Sequence, residues 1–186
     1  MVTAMRKAVG VAAFLLGFLV AAHAGGQLQA IDVPDKLKPP SNEAPTLMLS
    51  AKGVQIYECR AKTDQAAVYE WTFVAPEAEL FDVRGSKAGR HYAGPHWESS
   101  DGSKIVGTVK ERADAAEAGA IPWLLLSAKS VGPEGTLSKI TSVQRVNTAG
   151  GVAPKSRCSS ATTGTQVRVD YTADYYFYAA QAKDDR

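Results

Sequence analysis

The sequence predicts an all-β domain, an antiparallel sandwich or barrel with at most one or two short helices and one disulfide. Three observations carry that prediction. Runs rich in Val, Ile, Tyr, Trp and Phe alternate with period two, and Gly and Pro punctuate them at near-regular spacing. The helical crossovers that a parallel sheet requires are missing.

The first segment is a leader. Met5-Arg6-Lys7 supplies a positive start, and residues 8–21 (AVGVAAFLLGFLVA) form an unbroken apolar run. Ala22-His23-Ala24 then gives the small-x-small pattern that a signal peptidase accepts. The run falls short of the roughly 20 residues a membrane helix needs. Residues 1–24 therefore read as a Sec-type signal peptide cleaved near Ala24, leaving no integral membrane segment in the mature chain. The expected address is periplasmic or extracellular. Loss of Arg6 and Lys7 brings the 21 Lys and Arg level with the 19 Asp and Glu. A neutral, interspersed surface offers no footprint for nucleic acid.

Residues 25–50 read as an extended arm, because Pro34, Pro39, Pro40 and Pro45 forbid a long helix. A single β-domain is expected over 51–182. Within it, 54–60 (VQIYECR) sets Val54 and Ile56 against Gln55, Tyr57 and Cys59, and 68–74 (VYEWTFV) puts Tyr69, Trp71 and Phe73 on one face. Ala75-Pro76 ends that run, and 79–83 fits a short strand or one turn of helix. Residues 104–110 (KIVGTVK) form another strand, joined to His96-Trp97-Glu98 through the hairpin signal Asp101-Gly102. The alanine-rich stretch 111–118 suits one short helix or a surface loop. After Pro122, Trp123-Leu124-Leu125-Leu126 reads as a strand buried on both faces. Residues 140–146 (ITSVQRV), 166–171 and 173–180 complete the set, with a break at Gly150-Gly151.

Two cysteines remain, Cys59 and Cys158, and an even count in an exported chain reads as a disulfide. Neither lies in a C-x-x-C or beside a basic cluster, so the expected role is a structural staple.

Chemistry concentrates in 89–107 (GRHYAGPHWESSDGSKIVG), and three uses of it stay open. In the first, Gly94-Pro95 turns His91 and His96 toward each other as metal ligands, with Glu98 or Asp101 adding oxygen. No H-E-x-x-H or third ligand closes that shell, and no cofactor is predicted. In the second, His91 and Glu98 serve catalysis as base and orienting acid. Ser99, Ser100 and Ser103 sit in turn composition, and neither a G-x-S-x-G elbow nor a G-x-G-x-x-G phosphate loop occurs. In the third, Trp97, His91, Tyr175 and Tyr178 line an aromatic cleft for a small molecule, a glycan or an envelope component. Along 175–178 odd and even residues must face opposite sides, so one of those faces belongs to the core.

Several motifs also occur together: Tyr57-Glu58-Cys59, Trp71, 91–98 (HYAGPHWE), 121–126 (IPWLLL), 144–151 (QRVNTAGG), Cys158 and 173–178 (ADYYFY). In this combination the chain resembles the DUF3455 family from about residue 40 to 180. The resemblance implies an exported protein and specifies no activity. The family pattern carries a small polar residue where this chain has His96, which favours His91 of the two. The sequence thus reads as an exported binding or interaction module. A metal-dependent or histidine-based hydrolase built on 91–101 is the alternative.

Overall fold

Each alternating run becomes a strand, and each strand pairs with the next in sequence. The computed structural model describes residues 28, 31–65, 67–155 and 158–182, so the expected leader, residues 1–24, lies outside the described residues. The strands are β1 (Glu43–Ala61), β2 (Tyr69–Phe81), β3 (Lys87–Tyr92), β4 (His96–Ser99), β5 (Lys104–Ala113), β6 (Trp123–Ser130), β7 (Ile140–Gly150) and β8 (Gln166–Ala180). All neighbours are antiparallel. β8 returns to β1 in a seam running from Glu43↔Ala180 to Glu58↔Gln166, which closes the sheet into an eight-stranded barrel. The sandwich-or-barrel alternative is thereby resolved. Helix is confined, among the described residues, to single 3-10 turns at Asp35–Leu37 and Ser160–Thr162.

Four local expectations change. Residues 43–50, read as the end of the arm, are the first half of β1, because their alternating partners on β8 supply a ladder despite Pro45. β2 runs through Pro76 instead of ending there. Pro76 pairs with Gln55 near a bulge at Val74 of β2, and β3 reaches β2 only over Ala78, Glu79, Leu80 and Phe81, so the missing N–H leaves no facing carbonyl unpaired. β5 takes up 111–113 as strand, and no helix forms in 111–118. Residues 166–180 are one continuous strand.

The period-two pattern sorts side chains to the two faces of the wall. Leu49, Leu80, Trp97, Ile105, Leu126, Val143, Tyr175 and Phe177 point inward and form the main core. On β6, Leu124 and Leu126 face in while Leu125 faces out. Leu125 is nonetheless buried, because Val33 and Leu37 of the N-terminal segment pack over it and Val146. That segment explains the strand apolar on both faces. It is further fixed by Gln144, whose Nε2 donates to the Leu37 carbonyl at 2.5 Å.

The two ends of the barrel are built differently. At one end the loop between β6 and β7 folds under the lumen and inserts Leu137, which is fully buried in the core. Asp101 in the β4–β5 turn anchors this loop by accepting hydrogen bonds from the Thr136 N–H and hydroxyl (both 2.7 Å) and from the Ser103 hydroxyl (2.6 Å). The contact requires Gly135, since a Cβ there would come within 2.7 Å of the Asp101 carboxylate. The other end carries the disulfide. Cys59, late in β1, is bonded to Cys158 in the β7–β8 connection (S–S 2.09 Å) across a separation of 99 residues.

Candidate functional site: the barrel lumen and its mouth

The mouth follows from unequal strand lengths. The β3–β4 hairpin is short and turns at Gly94-Pro95, a cis peptide. Its flanking strands β2 and β5 continue past it, and β4 holds β5 only through Lys104, Ile105 and Val106. The wall therefore has a notch above Gly94-Pro95, edged by Phe73 (49 % exposed), Val74 (40 %) and Val109 (41 %). Large apolar side chains exposed together around a concave opening mark a binding surface more than a solvated one.

Behind the notch lies a cavity of about 330 Å³. Eight-stranded barrels have an interior just wide enough to be filled by side chains or to hold one small ligand. Trp97, Leu124, Leu126 and Tyr175 supply apolar walls. The Trp97 ring sits over β5 at Gly107, where a Cβ would meet it at 2.7 Å, so glycine makes room for the indole. Three polar side chains also line the space: Gln55, His91 and Arg145.

His91 is buried, stacked on Trp97 (centroids 4.4 Å apart, 17° between planes) and tilted against Tyr175 at 5.1 Å. Its Nδ1–H donates to the His96 carbonyl at 2.8 Å, which leaves Nε2 as an acceptor. Burial pushes its pKa down to about 3, with the Arg145 charge acting in the same direction. The imidazole is therefore neutral throughout the physiological range. Burial likewise raises the Tyr171 and Tyr175 hydroxyls above the ordinary tyrosine value, keeping them protonated. Arg145 is half-buried, and its Nε and Nη2 donate to the Pro122 carbonyl at 3.1 and 2.8 Å. The ion pairs among the described residues lie on other side chains, such as Arg90–Glu98 and Arg168–Glu77, and none includes Arg145. Gln55 is 2 % exposed and lies against the Tyr171 hydroxyl, and Trp97 Nε1 is buried with no hydrogen-bond partner among the described residues.

The register decides which of the sequence candidates meet. In an antiparallel ladder, directly opposed residues share a face. His91 opposes Trp97, both inside, whereas Tyr92 opposes His96, both outside. His91 and His96 thus project to opposite sides of the wall instead of converging. His96 stacks on Tyr92 and its Nδ1 bonds the Ala93 carbonyl at 2.6 Å. Glu98 is also outside, accepting from the Tyr92 hydroxyl (2.7 Å) and paired with Arg90 (2.9 Å), contacts that hold its carboxyl below the usual range. Asp101 belongs to the closed end, at the far end of β4 from Gly94-Pro95, as do Ser99, Ser100 and Ser103. Among the described residues no group of three or more His, Cys, Asp or Glu is placed to hold a metal ion. Of the aromatic set, His91, Trp97 and Tyr175 come together in the lumen. Tyr178 faces outward, beneath the N-terminal segment, and donates to Gln144 Oε1 at 2.5 Å.

Sequence reasoning missed Gln55 and Arg145. Both stand in alternating runs where a polar residue reads as solvent-facing. The available signal was parity: Gln55 shares a face with Cys59, and Arg145 with Val143.

An eight-stranded up-and-down antiparallel barrel, plugged at one end and notched near the other, defines the class of protein. The family model described as "Protein of unknown function (DUF3455)" matches residues 39–179, and the chain belongs to that family. No curated protein and no solved structure matches the chain.

Proposed function

We propose that this is an exported binding protein whose lumen takes up one small, largely apolar molecule through the notch. The carrying observation is the cavity itself, a pre-formed space walled by Trp97, Leu124, Leu126 and Tyr175 and entered past an exposed apolar rim. At water's share of roughly 30 Å³ per heavy atom, such a space suits a ligand of about ten non-hydrogen atoms. The walls favour an apolar body over a glycan, whose hydroxyls would each need a partner. The disulfide supports an oxidising compartment and, with the apolar run of residues 8–21, the exported address.

The test uses Trp97, whose indole is part of the wall. A panel of small aromatic and branched aliphatic compounds is titrated against the full chain, following tryptophan emission and thermal stability. Binders are expected to quench or shift emission and raise the melting temperature. Val74→Trp, which fills the mouth without entering the core, should weaken the same compounds at least about tenfold with stability changed by less than about 0.5 kcal/mol. A panel without binders, or binding indifferent to Val74→Trp, would overturn the lumen as the site.

A further inference from the structure

Resting on the lumen-binding reading, we infer that the ligand is a monocarboxylate, an aryl or branched-alkyl acid whose carboxylate meets Arg145 and whose body lies against Trp97. The lining of the cavity is unbalanced. Among the described residues it holds one permanent cation, Arg145, and no Asp or Glu, while His91 carries no charge at neutral pH. A half-buried guanidinium held by two neutral groups, the Pro122 carbonyl and the Tyr175 hydroxyl, lacks the counter-charge that such groups ordinarily find. Donors are in surplus as well. The Trp97 indole N–H is buried without an acceptor among the described residues, and Tyr175 presents a protonated hydroxyl beside Arg145. A ligand completing this site brings acceptor oxygens and negative charge.

Charge and shape narrow the head group. A single cation neutralises a single charge; a dianion such as a phosphate monoester would leave a second charge uncompensated at low dielectric. Guanidinium and carboxylate are both planar, and their paired hydrogen bonds are among the stronger charge-assisted contacts. The remaining wall is apolar and partly aromatic, which suits a flat or branched hydrocarbon body of the size given above. Arg145 has a structural duty too, since it fixes the Pro122 carbonyl at the entry to β6. The experiment must separate the two roles.

Matched pairs do so: benzoate, phenylacetate and cinnamate against benzamide, phenylacetamide and cinnamamide, titrated calorimetrically into the full chain near neutral pH. Each amide copies the shape of its acid without the charge. The acids are expected to bind at least about tenfold tighter than their amides. Arg145→Met should bring each pair within about twofold while leaving the amides' affinity in place, and Arg145→Lys should restore part of the difference. If Arg145→Met unfolds the chain, the wild-type protein decides. Affinity for cinnamate should fall as pH drops through the acid's own pKa, with cinnamamide unaffected. Amides that bind as well as the acids overturn the carboxylate and leave lumen binding standing. Failure of both series overturns both.

Discussion

The two ends of the barrel solve the same problem, how to finish a cylinder, by different means. The closed end is finished by packing and hydrogen bonds. Leu137 fills the bore, and Asp101 binds the loop that carries it through two short contacts to Thr136 while two more to Ser103 fix its own turn. The open end keeps apolar side chains at its rim, leaves the Trp97 indole N–H without a partner among the described residues, and carries the covalent Cys59–Cys158 link. Packing and open space are therefore separated along the barrel axis. Where the protein needs space, it replaces side-chain packing by a bond that occupies almost none.

The largest expected effect tests that substitution of means. Cys59→Ala with Cys158→Ala releases a loop of 99 residues, which costs about 4–5 kcal/mol in the chain-entropy model. Denaturant unfolding should show this loss, and amide exchange should show protection failing first around Cys59 and the start of β8. Equal loss at Leu137 would erase the contrast between the ends. Next, Leu137→Ala should cost about 3 kcal/mol through the cavity it leaves, while the lumen ligands keep their affinity. A loss of binding there would mean that the plug shapes the site.

The smallest effect concerns His91, and its sign follows from linkage. The folded pKa is about 3 against an ordinary 6.5, so between these values the unfolded chain takes up a proton that the folded chain refuses. Stability contributed by the neutral imidazole is whole above 6.5 and declines as pH falls, by up to about 1.4 kcal/mol per pH unit. His91→Asn, which retains a donor for the His96 carbonyl, should flatten that slope between 6.5 and 4.5, above the range where carboxylates dominate. An unchanged slope would show that His91 is not the group responsible.

Much of this architecture is legible from alternation. The runs around Tyr57, Trp71 and Ile105 declare themselves as strands, and Asp101-Gly102 declares its hairpin. Two things were not legible. Whether His91 meets His96 depends on register, which is set by where the Gly94-Pro95 turn closes; with Tyr92 opposite His96, the two imidazoles separate. Which polar residues face inward depends on which face of a strand becomes concave. Along 54–60 the face bearing Gln55 and Tyr57 turned in, and the one bearing Val54 and Ile56 did not. Closure is a property of all eight strands together, so no local window reports it. Tyr178 fails as a lumen residue for a further reason: its outward face is buried by a segment more than a hundred residues earlier, at Leu37.

The seam between β1 and β8 also gives the barrel a mechanical character. Glu43 lies opposite Ala180, and the Gln181 N–H donates to the Asn42 carbonyl at 2.8 Å, so the chain enters and leaves at one end. Tension applied through those two points peels the seam one rung at a time, the compliant geometry for an antiparallel pair. Peeling halts at Cys59, where a covalent bond takes the load. Only the chain outside the 59–158 loop can be drawn out. The extension of the chain under such tension would have a limit fixed by the position of one covalent bond.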